Sequence, residues 1–374
     1  MKSFLVSQNE AGQRLDKLLS KYMDTAPKSF FYKMLRKKNI TLNGKKAEGS
    51  EKVAEGDEIR LFLADETIES FQSEKRKGGK TAEPSPDAGQ KKAIPLLKEQ
   101  EIVFEGKHLL IVNKPAGELS QKAKKEDISI NERVVEYLRV TGKIGLDSFT
   151  PGVCNRLDRN TTGLVLAGKS LAGLQETAEL LKQRSLHKYY LCIVAGKADK
   201  PRHLTGYLKK NTETNTVHVV SEELFQKQKL NPKEYDRIET ELIPLHTNGG
   251  STLAAIQLIT GKTHQIRAHL ASIGLPLLGD TKYGTEKENT NSTSVERLTG
   301  INKALHLRYQ LLHAYLLQFP KLTGALSEVS EKIITVDPPV KFARAAEELF
   351  GKEEYRHAIM EFKRSSRFRS GGTD

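Results

Sequence analysis

No apolar run in this chain approaches the ~18 consecutive residues that a membrane-crossing helix needs, so no membrane span and no membrane partner are expected. The N-terminal stretch MKSFLVSQNEAGQRLD also lacks the apolar core of a secretory signal. Only two cysteines occur, Cys154 and Cys192, each next to or within an apolar run. They support neither a disulfide framework nor a zinc site. The ten histidines form no HExxH pattern and stand near no paired cysteines. A reducing, cytoplasmic location and chemistry without metal are the expectations. Gly261-Lys262-Thr263 has part of the wording of a phosphate-binding loop, but Ile256 stands where that loop needs glycine, which excludes it. No internal repeat is evident.

What the chain does contain is positive charge. Its 374 residues carry a formal net charge of +13, with 29% charged and 37% hydrophobic residues. That is enough apolar matter for a buried core, and the length suggests roughly two or three domains. The basic excess points to a polyanionic partner, nucleic acid being the commonest. A ribosome-associated protein or one that binds anionic membranes would show the same balance.

Residues 1–64 read as a compact unit. Leu15, Leu18, Leu19 and Tyr22 recur with helical spacing, as do Phe31, Met34 and Leu35, with Ser29 a candidate N-cap. ITLNGKKA reads as a strand entering an Asn43-Gly44 hairpin turn, and GDEIRLFL as a further strand. Lys33, Arg36, Lys37, Lys38, Lys45 and Lys46 gather around the second helix and the turn. A solvated basic face is the plain explanation; the density of the cluster and the charge of the whole chain favour phosphate contact. The segment resembles the alpha-L fold, a small RNA-binding domain first known from a small-subunit ribosomal protein. Residues 65–98 are poor in apolar residues and rich in Gly, Pro, Ser and Lys, and read as a flexible basic linker.

From 99 to 345 strand-like runs (HLLIVNK, GLVLAG, KYYLCIVAG, TLAAIQLIT, KIITVDPP) outnumber helical ones (INERVVEYLRVT, LAGLQETAELLKQRS, KTHQIRAHLASIG). The expected class is α+β with a mixed or antiparallel sheet, beside a small α+β RNA-binding domain. Residues 284–300 read as a polar excursion, and 346–374 as a basic C-terminal tail.

Within that region Asp158 lies between Arg156 and Arg159, just ahead of the strand-like GLVLAG. An exposed ion pair with a neighbouring arginine would be unremarkable and weak. A carboxylate nucleophile or base at a strand end is the functional alternative. In HKYYLCIVAG, alternation places Lys188 and Tyr190 on one face and Tyr189 on the other. One ring is free to pack inward and the other to offer a stacking surface, worth about 1–3 kcal/mol per base. Thr263 and Arg267 share a helical face with His264 beside them, and the apolar residues after Arg267 make it half-buried. Such an arginine is costly without an acid, and Asp158 is a reasonable partner that the pairing would favour in its ionised form.

IVFEGKHLLIVNKPAGELSQ, NRLDRNTTGLVLAGKS, HKYYLCIVAG, LITGKTHQIRAHLASIGLPLLGDTKYG and LLHAYLLQFPKLTG, in this order over about 99–340, resemble the successive motifs of RluA-type pseudouridine synthases. The resemblance implies an RNA isomerase that needs no cofactor: a uridine loses its N-glycosidic bond, the uracil turns, and a carbon–carbon bond forms to the same ribose. It makes Asp158 the catalytic aspartate, either attacking covalently or abstracting a ribose proton. Tyr190 becomes the residue that stacks on uracil, with a possible part in removing the ring C5 proton; Arg267 the partner of the aspartate; and Arg156 the residue that helps displace the base. Lys188 would accompany Tyr190 as a structural or phosphate-facing neighbour. Lys114, in NKPAG, has no clear role, and neither has Arg159. Asn155 departs from the family's histidine ahead of Arg-Leu-Asp, which leaves contacts near the displaced nucleotide open. Asn160 and Thr161-Thr162 are a milder departure. A glycosidase usually needs two carboxylates, where one prominent acid stands here. The expected substrate is large-subunit ribosomal RNA. Transfer RNA with the same chemistry, or a noncatalytic ribosome-assembly factor on this fold, are the alternatives. A monomer is the default expectation.

Overall fold

The computed structural model describes residues 2–7, 10–72, 93–142, 149–284, 292–365 and 368. In the N-terminal unit, helices α1 (Leu15–Tyr22) and α2 (Lys28–Arg36) bury Leu15, Leu18, Leu19, Phe31, Met34 and Leu35. The i, i+3, i+4 spacing sets these residues in two stripes, which close a core with an antiparallel sheet. That sheet has the order β1-β4-β2-β3, from β1 (Lys2–Leu5), β2 (Ile40–Leu42), β3 (Lys45–Lys46) and β4 (Glu58–Leu61). Asn43 and Gly44 both have positive φ, 52° and 71°, as a tight two-residue hairpin requires. Strand β1, ahead of the helices, is not apparent from the sequence pattern. Pro27, not Ser29, caps α2, because its fixed φ of −67° already sets the extended entry to the helix.

The linker expectation needs correcting at both ends. Residues 65–71 fold onto the N-terminal unit: α3 (Asp65–Ser70) buries Ile68, and the Phe71 ring lies 4.7 Å from that of Phe30. A few apolar side chains in a polar stretch suffice when each finds a pocket. At the other end Leu97 is buried, and Arg133 donates to the carbonyls of Pro95 and Leu96. Residues 73–92 lie outside the described residues.

The larger unit begins with β5 (Ile102–Glu105), β6 (Leu109–Lys114), α4 (Ile130–Val140), β7 (Gly152–Val153), β8 (Thr162–Gly168), α5 (Leu171–Gln183) and β9 (His187–Ala195). There follow β10 (Arg202–Asn211), β11 (Thr216–Ser221), α6 (Glu222–Lys227), β12 (Asp236–Thr247), β13 (Ser251–Leu258), α7 (Gln265–Ser272) and α8 (Ser292–Ala304). It ends with β14 (Leu312–Gln318), β15 (Ile333–Thr335), α9 (Val340–Phe350) and α10 (Lys352–Arg364). One sheet runs β11-β10-β12-β13-β9-β14-β8-β6-β5, with β7 on β8 and β15 on β14. Among the described strands only the β8–β14 pair is parallel, so the sheet is mixed, as expected. Its central strands are apolar on both faces because both faces are covered. One face carries a cluster that includes Leu110, Val134, Tyr190, Ile256, Ile266 and Leu270; the other packs Tyr189, Ile193 and Leu316 under α9 and α10. Gly163, at φ 108°, allows the parallel pairing, since a Cβ there would sit 2.2 Å from the Ala314 carbonyl oxygen.

Two further expectations are overturned. Residues 346–374 are not a bare tail: Phe350, Tyr355, Ala358, Phe362 and Phe368 are buried against the sheet. Tyr355, Ala358 and Phe362 recur at helical spacing, a narrow stripe that the surrounding charge conceals. Of the polar excursion, 292–300 belongs to α8, and 285–291 lies outside the described residues.

Candidate active site

The loop 154–161, between β7 and β8, carries Asp158 and is held from several sides. The Ser120 hydroxyl donates to the Leu157 carbonyl and accepts from its N–H, both at 2.9 Å. Lys114, at the end of β6, is fully buried and donates to the carbonyls of Pro115, Glu118 and Arg159 at 2.9, 2.8 and 2.9 Å. Burial pulls its pKa down to about 8, against the opposing pull of Glu118 and Asp158. Three acceptors use all three ammonium N–H groups. Arg159 closes the clasp: its Nε donates to the Gly117 carbonyl at 3.1 Å, and the Gly117 N–H donates to the Arg159 carbonyl at 2.9 Å. Lys114 and Arg159 therefore fix the backbone on which Asp158 stands. Asn155 turns to the sheet instead: its Oδ1 accepts from the Leu166 N–H at 2.8 Å, and its Nδ2 donates to the Leu164 carbonyl at 3.4 Å. The side-chain amide extends β7 as a mimic of backbone along β8.

Arg267, on α7, meets two acids. Its Nη1 donates to Asp158 Oδ2 at 2.9 Å, while Nε and Nη2 form a bidentate pair with Asp280 at 2.7 and 2.9 Å. Burial works against the guanidinium's charge, but the hydrogen bonds and negative charge of Asp280 and Asp158 outweigh it and raise its pKa. Asp280 is itself buried and also accepts from the N–H groups of Lys282 and Tyr283. Gly279, before it, has φ 79° and faces the Tyr309 carbonyl, which would be 2.1 Å from a Cβ. Among the described residues nothing donates to Asp158 Oδ1. One oxygen of the carboxylate is thus held and the other is free for a reacting group. Thr263 lies ahead of α7 rather than on its face, because the helix starts after His264.

Asp158 opens into a cavity of about 50 Å³, lined by Leu157, Tyr190, Leu258, Ile266 and Leu312, with Arg156, Lys262 and His264 at its polar side. Tyr190 is one of the buried residues that line it. Burial first, then the negative charge of Asp158, push its phenol well above the ordinary tyrosine range. Tyr189, on the opposite face, packs edge-on against Phe362 and Phe368. Lys188 is half-buried beside Gly261, and burial, with Arg184, lowers its pKa. Arg156 is exposed at the mouth. Lys33, Arg36, Lys37, Lys38, Lys45 and Lys46 are exposed on the N-terminal unit and are not part of this cavity. A groove between β12 and α10, lined by His246, Glu353, His357 and Glu361, has no catalytic constellation of this kind. Among the described residues no cluster of His, Cys, Asp or Glu could hold a metal ion, and no helix is long and apolar enough to cross a membrane.

Asp280, Ser120 and Tyr283 are site residues that the sequence alone did not single out. Asp280 and Tyr283 stand in GDTKYG, a stretch with two glycines and an acid directly after an apolar run, which was a usable signal. Ser120 had none, since its contact is made 37 positions away.

Residues 108–272 match the family model described as RNA pseudouridylate synthase. Ribosomal large subunit pseudouridine synthase C of Vibrio cholerae is 27% identical over 338 residues, covering 90% of this chain and 92% of the relative. An RNA pseudouridine synthase of Mycoplasma genitalium is 31% identical over 332 residues, covering 85% and 89%. Among solved structures, human RNA pseudouridylate synthase domain containing 4 shares the fold, with a TM-score of 0.52 at 22% identity over 67% of this chain and 93% of that one. With relatives matched along nearly their whole length, this chain belongs to the RNA pseudouridine synthases of the RluA family.

Proposed function

We propose that this enzyme converts uridines to pseudouridine in large-subunit ribosomal RNA, with Asp158 as its catalytic carboxylate. One observation carries the site assignment: a partly exposed carboxylate has one oxygen fixed at 2.9 Å by a buried arginine and the other free, in a cavity whose apolar side includes a buried tyrosine. The reaction needs that combination. The N1–C1′ bond breaks, uracil turns within the cavity, C5 bonds to C1′, and the C5 proton is replaced by one at N1. Asp158 Oδ1 faces this chemistry, either as nucleophile or as the base for a ribose proton. Leu157, Leu258, Ile266 and Leu312 give the cavity an apolar side that limits the water able to intercept the detached base. Tyr190, held protonated by burial, suits stacking on uracil better than proton abstraction as a phenolate. Arg156, exposed at the mouth, is where a group that levers the base out of its stack would act. Lys188 is suited to a backbone phosphate beside the displaced nucleotide.

Two lines support ribosomal RNA as the substrate: the Vibrio relative carries that substrate in its name, and the N-terminal unit presents unpaired cations suited to a large folded RNA. We read residues 1–72 as the RNA-binding unit and 93–365 as the catalytic one. The test is single-turnover pseudouridine formation on large-subunit ribosomal RNA and on transfer RNA, comparing wild type with Asp158→Asn. Formation by wild type on ribosomal RNA alone, lost in Asp158→Asn with RNA affinity retained, is the expected result. Formation on transfer RNA alone would refute the substrate, and retained activity in Asp158→Asn would refute the catalytic role.

A further inference from the structure

We propose that neutral His264 donates its Nε2–H to the negative charge that gathers on uracil as the N1–C1′ bond breaks. This role rests on the function proposed above and adds a second catalytic group to it. His264 sits at the start of α7 with φ 54°, in the left-handed region that histidine and asparagine tolerate better than most residues. It is half-buried and lines the cavity. Its Nδ1 lies 2.8 Å from the Tyr283 hydroxyl. That hydroxyl already accepts from the Val217 N–H at 3.0 Å, so its own proton is available to donate. Burial pushes the Tyr283 phenol up to about 12, and the proton stays on it at neutral pH. Among the described residues His264 Nδ1 is the acceptor within reach. Nδ1 therefore accepts, and Nε2 carries the ring hydrogen, an assignment made from the hydrogen-bond partners.

His264 Nε2 is 3.9 Å from Asp158 Oδ2, too far for a hydrogen bond, and that oxygen is already held by Arg267. A donor without a protein acceptor thus lies beside the catalytic carboxylate, on the cavity wall. Burial, with Arg267 and Lys282, outweighs Asp158 and Asp280 and lowers the pKa of His264, which keeps the ring neutral. Three of the other polar side chains lining the cavity already have partners. The Gln265 amide bonds the Glu239 carbonyl, Thr240 and Thr260; the Lys262 amine pairs with Asp236 at 2.6 Å; and Arg267 spans two carboxylates. When the glycosidic bond breaks, its electron pair leaves with the base and spreads over N1, O2 and O4. A donor held at one of these oxygens stabilises the departing base more than it stabilises neutral uridine, which raises the rate without tightening binding. No proton changes hands: the hydrogen stays on Nε2, and the charge is consumed when C5 bonds to C1′.

The test compares leaving bases. His264→Asn keeps the left-handed backbone but loses the imidazole reach. Tyr283→Phe keeps the ring and removes the proton that fixes its tautomer. Single-turnover loss of the N1–C1′ linkage is measured on RNA with uridine or 5-fluorouridine at the target position; the fluorinated base has no C5 proton to release, so cleavage and not product formation is read, and it departs as an intrinsically more stable anion. His264→Asn should be about 100-fold slower on uridine with RNA affinity unchanged, and the deficit should shrink to under about 10-fold on 5-fluorouridine. Tyr283→Phe should show the same narrowing from a smaller loss, and it carries the comparison alone if His264→Asn does not fold. Equal deficits on both bases, a defect confined to affinity, or no defect would overturn the proposal. If Asp158→Asn is inactive while the His264 variants show no dependence on the base, only this inference falls; if wild type forms no pseudouridine, both readings fall.

Discussion

Lys33, Arg36, Lys37, Lys38, Lys45 and Lys46 of the N-terminal unit are exposed, and none is paired with a carboxylate among the described residues. Two of the cations near Asp158 are built in the opposite manner. Lys114 is fully buried on three carbonyls, and Arg267 is buried between two carboxylates. Exposed, unpaired cations attract a polyanion over about a Debye length and are weakened by salt. Buried, paired ones hold atoms in place and are screened far less. The same residue types are thus exposed and unpaired in one unit and buried and paired beside Asp158 in the other.

Acid should separate the two units most. All ten histidines lie outside residues 1–72. Burial pulls His269 and His313 down to about 4. Because these folded values lie below the unfolded value of about 6.5, their contribution to stability is complete above that pH. It falls between about 6.5 and 4, where only the unfolded chain binds the proton, by on the order of 3 kcal/mol for each. Hydrogen exchange at pH 7 and pH 4.5 should show the large sheet losing protection while β1–β4 keep theirs; equal losses in both would break the contrast.

Asp280→Ala comes next. It leaves Arg267 with one acid and frees the N–H groups of Lys282 and Tyr283, so a loss of about 3–5 kcal/mol is expected, together with the loss of pseudouridine formation. Urea unfolding and single-turnover assays would measure both. Asn155→Ala strands the Leu166 N–H and should cost about 1–3 kcal/mol, read as a shift in the urea midpoint. Lys37→Gln with Lys38→Gln should leave stability unchanged. It should reduce the slope of log affinity for ribosomal RNA against log salt by about 0.7–0.9 for each phosphate that is no longer neutralised. An unchanged slope would show that the exposed cluster does not meet phosphate.

The comparison also explains which features could be read in advance. The leucines of α1 and the apolar stripe of α2 are local patterns within a few turns, and their helices follow from spacing. β9 was legible in the same way, with Tyr189 and Tyr190 on opposite faces. The stripe of α10 had the right period too, but its charge masked it, so that residues 352–364 resemble a tail. Helix α3 was hidden for the same reason.

The sequence by itself determined the two amphipathic helices, the alternation that turns Tyr190 from Tyr189, the basic excess, and the presence of an acid ahead of an apolar strand. These depend on residues near one another along the chain, where backbone geometry alone relates their side chains. Only the tertiary structure decided that Asp280 shares Arg267 with Asp158, that Lys114 and Arg159 brace the loop, that Asn155 serves the sheet, and that Tyr283 orients His264. Asp158 and Arg267 are 109 positions apart. Such distances are closed by the packing of α7 and the loops onto one sheet, and no local pattern records which groups that packing brings within hydrogen-bonding reach.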